Sequence, residues 1–272
     1  MIIYVLVPVF NRINFTKTII NCLRRQTYKK NLRIYIVNDG STDGTGAWLK
    51  QQRDINTIKG TGSLFWTGAI NLGLENILKK AKPEDWLILL NNDVEINEYY
   101  VETLFKIAKE NYPAAVGSII KNKNGKVVSI GPEINTKYLR VNDLYAVKEN
   151  LKYKKLIKNV DALSGRGVIY PINIIMEIQR INQLIFPHYF ADYSLSMRIK
   201  KKGYNLMISS DACVYTNEDF DFISRQRKKQ SLFKKLSSKK SSSLIYSKFL
   251  FWWEASNNIE RIILPLRMVI LL

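Results

Sequence analysis

Two kinds of hydrophobic pattern alternate along the first 90 residues. Residues 2–9, 32–37 and 86–90 are predominantly apolar, which is typical of strands buried on both faces of a parallel sheet. Residues 14–26 and 67–80 instead carry aliphatic side chains three or four positions apart, which predicts amphipathic helices. Strands that alternate with helices in this way predict an α/β domain with parallel strands and right-handed crossovers.

The pattern becomes less regular after residue 97. Residues 131–159 are polar and weakly patterned, so we assign no element to them. The other predicted elements are, in chain order, helix 45–52, strand 56–59, helix 98–111, strand 114–120, a hairpin turn at 122–125, helix 192–202 and strands 204–208 and 212–215.

Residues 222–272 differ in composition from the rest of the chain. Residues 225–240 hold eight lysines or arginines and no acid, residues 249–253 include four aromatic side chains, and residues 262–272 are mostly apolar. We predict a folded domain over residues 1–221 and, over residues 222–272, a tail that lies on an anionic membrane surface. The alternative is that the aromatic side chains pack back on the domain and the basic run is a solvated linker.

The net charge limits the classes of binding partner, and the cysteine content bears on the redox compartment. The net charge of +19 and the pI near 9.8 favour an anionic partner, which could be nucleic acid, anionic lipid or a phosphorylated substrate. Cys22 and Cys213 give neither a disulfide framework nor metal-ligand spacing, which is compatible with a reducing cytosol. The N-terminus lacks the basic region of a signal peptide, and no run reaches the roughly 18 apolar residues of a spanning helix.

Polar side chains follow two of the predicted strands. Asp39 ends the second strand, and Asn91, Asn92 and Asp93 end the fourth. Open α/β sheets bind ligands at the carboxyl edge of their strands. A carboxylate there suits a divalent cation, and a cation suits a phosphate-bearing substrate. From these residues alone, an ordinary polar turn after each strand is an equally good interpretation.

Three segments in this order resemble a known family. Residues 7–12 (VPVFNR), 37–45 (VNDGSTDGT) and 89–94 (LLNNDV) are similar to the motifs of family 2 glycosyltransferases of the GT-A fold. Residues 62–73 resemble a further block of bacterial members that build surface polysaccharides, including rhamnosyltransferase-like ones. The resemblance covers residues 2–215. It implies an α/β fold of the GT-A type, with a mostly parallel central sheet flanked by helices.

The resemblance implies a nucleotide-sugar site at the carboxyl edge of the sheet. Asp39 would hold the base or ribose, and Trp66 would be either a wall of the pocket or part of the core. The residues assigned to nucleotide-sugar binding are Pro8, Phe10, Arg12, Asp39, Trp66, Asn71, Asn92 and Asp93. For Asp39, the alternative is an Asx turn that caps the next helix.

A divalent cation, Mg or Mn, is also implied, with Asp93 as its ligand. Asp93 matches the last acid of the family's Asp-any-Asp motif, whereas Asn91 stands where the first acid usually is. Glu95 is expected to be a surface acid. Thr216 stands where many relatives have a histidine that completes the metal site, so we expect little metal affinity without nucleotide.

Residues 186–195 (FPHYFADYSL) resemble the block that carries the acceptor-activating acid, and Asp192 aligns with that acid. An inverting transfer needs one base near the acceptor hydroxyl. Ala191 and Ser194 replace acids that are common in relatives, and from the residue alone Asp192 is more typical of a helix N-cap. His188 and Arg166 are candidate contacts for acceptor or phosphate, with packing or solvent exposure as the alternatives.

These features together predict an inverting glycosyltransferase. The sugar would move from a nucleotide-diphosphate donor to a lipid-linked or oligosaccharide acceptor of a capsule or O-antigen, at the inner face of the cell membrane. A nucleotidyltransferase is an alternative, but it predicts a Gly-rich phosphate loop after the first strand, which residues 8–11 do not form. A nucleic-acid-binding protein is another, but the densest basic run lies in the tail, so no nucleic acid partner is expected.

Overall fold

The apolar run at the N-terminus forms β1, a central strand of the sheet. In the computed structural model, which describes residues 1–144, 154–178, 180–216 and 245–271, every residue of β1 except Pro8 is buried. The strands are β1 Ile3–Val9, β2 Leu32–Asn38, β3 Asn56–Lys59, β4 Trp86–Leu89, β5 Val94–Glu95, β6 Ala114–Asn122, β7 Val127–Ser129, β8 Pro132–Asn135, β9 Arg140–Asp143, β10 Leu156–Lys158, β11 Val168–Pro171 and β12 Asn205–Thr216. The helices are α1 Ile13–Arg24, α2 Thr45–Leu49, α3 Phe65–Leu78, α4 Tyr100–Glu110, α5 Ile172–Ile178, α6 Ala191–Lys201, α7 Ile245–Ala255 and α8 Asn258–Leu271.

The central sheet is mixed. Its strand order is β10-β12-β6-β11-β4-β1-β2-β3. The strands β1 to β4 are mutually parallel, as the alternating pattern predicts. Strand β11 runs antiparallel between β4 and β6, so β6, and β12 that pairs parallel with it, run in the same direction as β1 to β4. The mostly parallel arrangement that we expected is therefore confirmed, with β11 and the edge strand β10 reversed. The predicted α/β class is confirmed.

Both faces of the sheet are covered, which explains the continuous apolar runs. Leu6 and Ile70 of α3 belong to one hydrophobic cluster, and Val5 and Ile19 of α1 belong to a second one. A Cβ at Gly73 would lie 2.3 Å from a methyl carbon of Leu6, so α3 approaches β1 closely at this glycine. Each fully buried aliphatic side chain contributes about 1.5–3 kcal/mol relative to an exposed one.

Two predicted elements differ in the structure. The strands predicted at 204–208 and 212–215 are one strand, β12, whose register shifts between Ser209 and Cys213. The bulge interrupts the apolar alternation, and this is why the pattern suggests two strands. Within the unassigned region, β8 and β9 form a separate two-stranded sheet, and β10 joins the edge of the central sheet.

The C-terminal helices pack on the domain. Phe251 and Trp252 of α7 are buried in the same hydrophobic cluster as Leu195 of α6, and the ring of Phe251 stacks on that of Phe190 at 4.4 Å between centroids. This packing is the alternative given above for the aromatic residues. The basic run at 225–240 lies outside the described residues. Among the residues that the structure describes, no helix has the length and apolar character needed to cross a membrane.

Candidate active site

The loops that follow β1 and β2 are bonded to each other at the carboxyl edge of the sheet. The backbone N–H of Asn11 donates to Oγ of Ser41 at 2.8 Å. The carboxylate of Asp43 accepts from the N–H of Ile13 at the start of α1 and from the N–H of Thr45 at the start of α2. One carboxylate therefore satisfies donors at two helix starts, where the helix dipole also favours negative charge. The rim of the site is held in place before any ligand binds.

Asp39 is buried and fixed by the loop that follows β3. Its Oδ1 accepts the N–H of Gly62 at 2.7 Å, and its Oδ2 accepts the N–H of Leu64 at 2.9 Å. Gly40 has φ +69°, and a Cβ there would lie 2.7 Å from Cα of Gly62, so this close approach requires glycine. Each carboxylate oxygen has a second lone pair, which leaves Asp39 with further capacity to accept hydrogen bonds.

Asp93 forms an ion pair with Arg12 across the sheet edge. Nη1 of Arg12 lies 3.0 Å from Oδ2 of Asp93, and the Arg12 side chain is half exposed whereas that of Asp93 is buried. Asn11 and Arg12 have φ values of +58° and +63°, a left-handed conformation that non-glycine residues rarely adopt and that recurs at functional sites. The first and third motifs of the sequence therefore meet in space.

Trp66 links the end of β4 to the loop before β11. Its Nε1 donates to Oδ1 of Asn91 at 3.0 Å. A Cβ at Gly165 would lie 2.5 Å from Cζ2 of the same ring, so the loop before β11 approaches the indole closely. The indole therefore fills the space between the Asp93 motif and the loop that contains Arg166, and its role as a wall of the donor pocket stays a prediction.

Asp192 lies in the first turn of α6 and faces the same loop. Its Oδ2 accepts the N–H of Gly165 at 3.0 Å, and its Oδ1 accepts the N–H of Tyr193, also at 3.0 Å. Burial raises the pKa of the Asp192 carboxyl above its ordinary value, although these hydrogen bonds and the charge of Arg166 act in the opposite direction. A carboxylate with a raised pKa is a stronger proton acceptor at neutral pH. The contacts through Gly165 and Trp66 connect Asp192 to the end of β4.

Helix α3 holds the segment that precedes Asp192. Asn71 donates to the carbonyl of Ile181 at 2.8 Å and accepts its N–H at 3.1 Å. The N–H of Thr67 donates to the carbonyl of Pro187 at 3.1 Å. The amide of Asn71 is thus occupied by backbone groups, and the geometry gives Asn71 a positioning role. A role in nucleotide-sugar binding stays a prediction.

The other predicted site residues differ in solvent exposure. Asn92 is buried, and its amide donates to Oγ1 of Thr16 in α1 at 3.3 Å, on the α1 side of the sheet edge. Pro8 and the exposed Phe10 lie at the end of β1. His188 is exposed and lies edge-on to the neighbouring tyrosine ring. The binding roles of these four residues stay predictions.

A cavity of about 210 Å³ lies between the loop that binds Asp39 and the segment that α3 holds. Its lining residues are Ser63, Leu64, Phe65, Gln183, Leu184 and Pro187. Phe65 has φ +55°, a strained conformation for an aromatic residue. Gln183 and Leu184 carry no signal in the sequence, because they lie in a stretch without periodicity and approach α3 only in the fold.

The residues near Asp93 suit a cation that is shared with a substrate. Thr216 pairs with Val94 in the β5-β12 ladder, so it lies beside Asp93, where the resemblance places it. Within the described ranges, no group of three or more His, Cys, Asp or Glu side chains could hold a metal ion. Mg²⁺ commonly binds through one or two carboxylates together with substrate phosphates. The donor set at Asp93 fits that arrangement.

Residues 4–175, which contain Asp39, Asp93 and the strands that present them, match the sequence model of the family described as Glycosyl transferase family 2. The chain belongs to glycosyl transferase family 2. Membership of this family confirms the resemblance drawn from the motifs, and it decides among the three classes of function in favour of glycosyl transfer.

Two named glycosyltransferases are similar in sequence to this family 2 glycosyltransferase, each at less than 30% identity. The chain is 28% identical over 184 residues to the glycosyltransferase GlyA of Streptococcus pneumoniae serotype 4 (strain ATCC BAA-334 / TIGR4). The aligned region covers 65% of this chain and 25% of GlyA. It is 23% identical over 171 residues to the low-salt glycan biosynthesis hexosyltransferase Agl10 of Haloferax volcanii. That aligned region covers 63% of this chain and 54% of Agl10. The match thus spans a quarter of GlyA and about half of Agl10.

Solved structures confirm the GT-A fold. TarS of S. aureus, residues 1–349 in complex with UDP, superimposes with a TM-score of 0.56 and 19% identity, over 79% of this chain and 60% of that one. GalNAc-T7 with UDP, GalNAc and Mn²⁺ gives a TM-score of 0.62 and 12% identity, over 79% of this chain and 44% of that one. These likenesses concern the fold alone.

Proposed function

We propose that this family 2 glycosyltransferase moves a sugar from a nucleoside-diphosphate donor to a hydroxyl of a lipid-linked surface glycan, with inversion at the anomeric carbon. The observation that carries the proposal is the continuous contact from Asp192 through Gly165 and Trp66 to the end of β4, where Asp93 lies. It joins a carboxylate of raised pKa to the strand ends that suit a nucleotide, within a chain of this family.

The donor occupies the carboxyl edge of β1, β2 and β4. Asp39 accepts hydrogen bonds from the nucleoside with the lone pairs that its backbone donors leave unused. Pro8 and Phe10 line the nucleoside pocket, and Trp66 bounds the sugar. UDP complexes of TarS and GalNAc-T7, which share the fold, support a nucleoside diphosphate as the recognised group.

Asp192 acts as the general base. The acceptor oxygen attacks the anomeric carbon as its proton passes to the Asp192 carboxylate. The bond between the anomeric carbon and the diphosphate oxygen breaks, and its electron pair leaves with the nucleoside diphosphate. A single displacement of this kind inverts the configuration. The raised pKa supports the role, because it brings proton acceptance closer to neutral pH.

Asp93 would hold a divalent cation, Mg or Mn, together with the donor diphosphate. When bound, such a cation offsets the charge of the leaving diphosphate. Arg12, which pairs with Asp93 at 3.0 Å, would turn to a phosphate oxygen. His188 and Arg166 would contact the acceptor or a phosphate. The Mn²⁺ in the GalNAc-T7 structure supports a divalent cation on this fold.

The acceptor is a lipid-linked oligosaccharide of a capsule, O-antigen or related glycan, and the enzyme works as a peripheral protein at the inner face of the cell membrane. The name of Agl10, a glycan biosynthesis hexosyltransferase, supports glycan assembly as the process. The charge of +19 supports attraction to anionic lipid.

A panel of nucleotide sugars tests the proposal. With Mg²⁺ or Mn²⁺ present, at least one donor should raise the thermal unfolding midpoint and be slowly hydrolysed, because water can replace the acceptor. Mass action predicts about 2.7 kcal/mol of stabilisation at a donor concentration of about 100 times Kd. Absence of stabilisation and hydrolysis across all UDP-, GDP- and dTDP-sugars would refute it.

A further inference from the structure

Helix α8 carries apolar side chains on two opposite sides. Leu264 and Met268 are buried against the hydrophobic core. The outward stripe consists of Ile259, Ile262, Ile263 and Leu266. Ile259, Ile262 and Leu266 are 77%, 79% and 67% exposed, and their spacing of three or four positions places them on one side of the helix. A contiguous exposed row of this kind marks an interaction surface.

An aromatic residue and a cation lie beside the outward stripe. The guanidinium carbon of Arg261 lies 5.6 Å from the ring centroid of Trp253, and Nε of Arg261 donates to the Trp253 carbonyl at 2.9 Å. Trp253 is itself exposed. Tryptophan and basic side chains next to an apolar stripe are typical of helices that lie at a lipid–water boundary.

Charge favours a bilayer over a second copy of the chain. Each copy has a net charge of +19, so two copies repel each other, whereas an anionic lipid surface attracts the protein. The eight basic residues at 225–240 are followed closely in the chain by α7 and then α8. The 14 residues of α8 span about 21 Å, less than the roughly 30 Å of a bilayer core, so α8 can lie on a bilayer but not cross it.

Side-chain contacts hold α7 and α8 in a fixed orientation on the catalytic domain. Oε1 of Glu260 in α8 accepts the hydroxyl of Thr136 at 2.7 Å. The hydroxyl of Ser247 in α7 donates to the carbonyl of Ile185, which lies in the segment that lines the cavity. A surface that binds α8 would therefore have a defined position relative to the cavity.

We propose that the outward stripe of α8 is the surface through which this enzyme docks on an anionic lipid bilayer. The inference rests on the proposed function, which places the acceptor in the membrane. The isoleucines and Leu266 enter the headgroup region, and Trp253 and Arg261 lie at the boundary. Docking through this stripe would hold the catalytic domain, through the fixed contacts of α7 and α8, at the bilayer surface, where a lipid-linked acceptor presents its sugar.

The test is flotation of the full-length protein with phosphatidylglycerol–phosphatidylcholine vesicles. The variant Ile262→Ser/Leu266→Ser removes two exposed apolar side chains, and Tyr99→Ser, which removes an exposed aromatic at the start of α4, is the matched control. Wild type and control should float and be partly released by high salt. The double variant should have a partition coefficient onto the vesicles that is lower by about tenfold or more, with an unchanged unfolding midpoint.

Three outcomes would overturn the proposal. They are equal flotation of the double variant and wild type, no flotation of wild type, and a wild-type dimer that the double variant converts to a monomer in light scattering. Affinity for UDP, GDP and dTDP, measured on the same samples, separates this proposal from the proposed function. Wild type that floats but binds none of the three nucleotides contradicts the function and leaves the docking surface standing.

Discussion

The hydroxyl of Ser194 in α6 donates a hydrogen bond to Oε2 of Glu254 in α7 at 2.7 Å. Nζ of Lys201, at the other end of α6, donates to the backbone carbonyl of Glu254 at 2.6 Å. Burial raises the pKa of Glu254, although the Ser194 hydrogen bond acts against the shift. Helix α7 therefore contacts both ends of α6, the helix that carries Asp192, and Glu254 brings a carboxylate next to Ser194.

Glu254 is expected to position the proposed base. Glu254→Gln keeps an oxygen that can accept from Ser194, whereas Glu254→Ala removes it. We expect Glu254→Ala to lower the free energy of unfolding by about 1–2 kcal/mol and kcat by about fivefold, with the Kd for UDP unchanged. Glu254→Gln should retain most of the activity. Equal kcat values for wild type, Gln and Ala would show that the contact does not act on the site.

Asp192→Asn should abolish proton acceptance while the side chain keeps its size. Transfer is expected to fall roughly 100-fold or more, with the Kd for the donor nearly unchanged. A base acts only when it is deprotonated, so wild-type kcat/KM should rise as the pH passes upward through the raised pKa of Asp192 and should fall away at pH values below that pKa. The Asn variant should lack this acid limb of the pH profile. Transfer by Asp192→Asn at near wild-type rates would exclude Asp192 as the base.

Asp39 and Asp93 should have separable effects on nucleotide binding. Asp39→Ala is expected to weaken UDP binding with or without metal. It should also destabilise the fold by about 1–3 kcal/mol, because the N–H groups of Gly62 and Leu64 lose their acceptor. Asp93→Ala should abolish only the increase in UDP affinity that Mg²⁺ or Mn²⁺ causes. Calorimetry with and without EDTA measures both, and metal-enhanced binding that survives in Asp93→Ala would show that the metal site is elsewhere.

The sequence predicts the parts of this site that depend on local pattern. Asp39 and Asp93 each follow a buried strand, and parallel strands bring their carboxyl ends to one edge, so their neighbourhood could be inferred before the fold was known. The motifs also identify Asp192, but only through resemblance, since an acid at a helix start is usually a cap.

Other contacts carry no local signal. Asn71 meets Ile181 across 110 residues of sequence, and Ser194 meets Glu254 across 60. Such pairs depend on how helices pack, which periodicity does not determine. The aromatic residues of α7 illustrate the same limit, because a run such as Phe251 and Trp252 suits either a lipid surface or a hydrophobic core. The stacking of Phe251 on Phe190 decides for the core at that position.

The loop between Trp66 and Asp192 offers a prediction about the pKa of the base. Gly165→Ala would place a Cβ 2.5 Å from the Trp66 ring, so the loop or the ring must shift, at a cost of about 1–3 kcal/mol. A shifted loop weakens the hydrogen bond from the Gly165 N–H to Asp192. That bond stabilises the charged carboxylate, so its loss should raise the pKa of Asp192 further. The acid limb of the kcat/KM profile should therefore move to higher pH.

A double-mutant cycle with Trp66→Leu identifies the cause of that shift. The smaller side chain makes room for the new methyl group, so Gly165→Ala should move the acid limb much less in the Trp66→Leu background than in wild type. Gly125→Ala is the control for a glycine-to-alanine change far from the site, because nothing lies within 4 Å of its Cβ position in the β6-β7 turn. Its φ of +77° makes alanine unfavourable in that turn, so the unfolding midpoint should fall while the pH profile equals that of wild type. An equal shift of the limb in both backgrounds would mean that the methyl group acts through the backbone of residue 165 and not through the indole, and Trp66 would then have no part in placing the base.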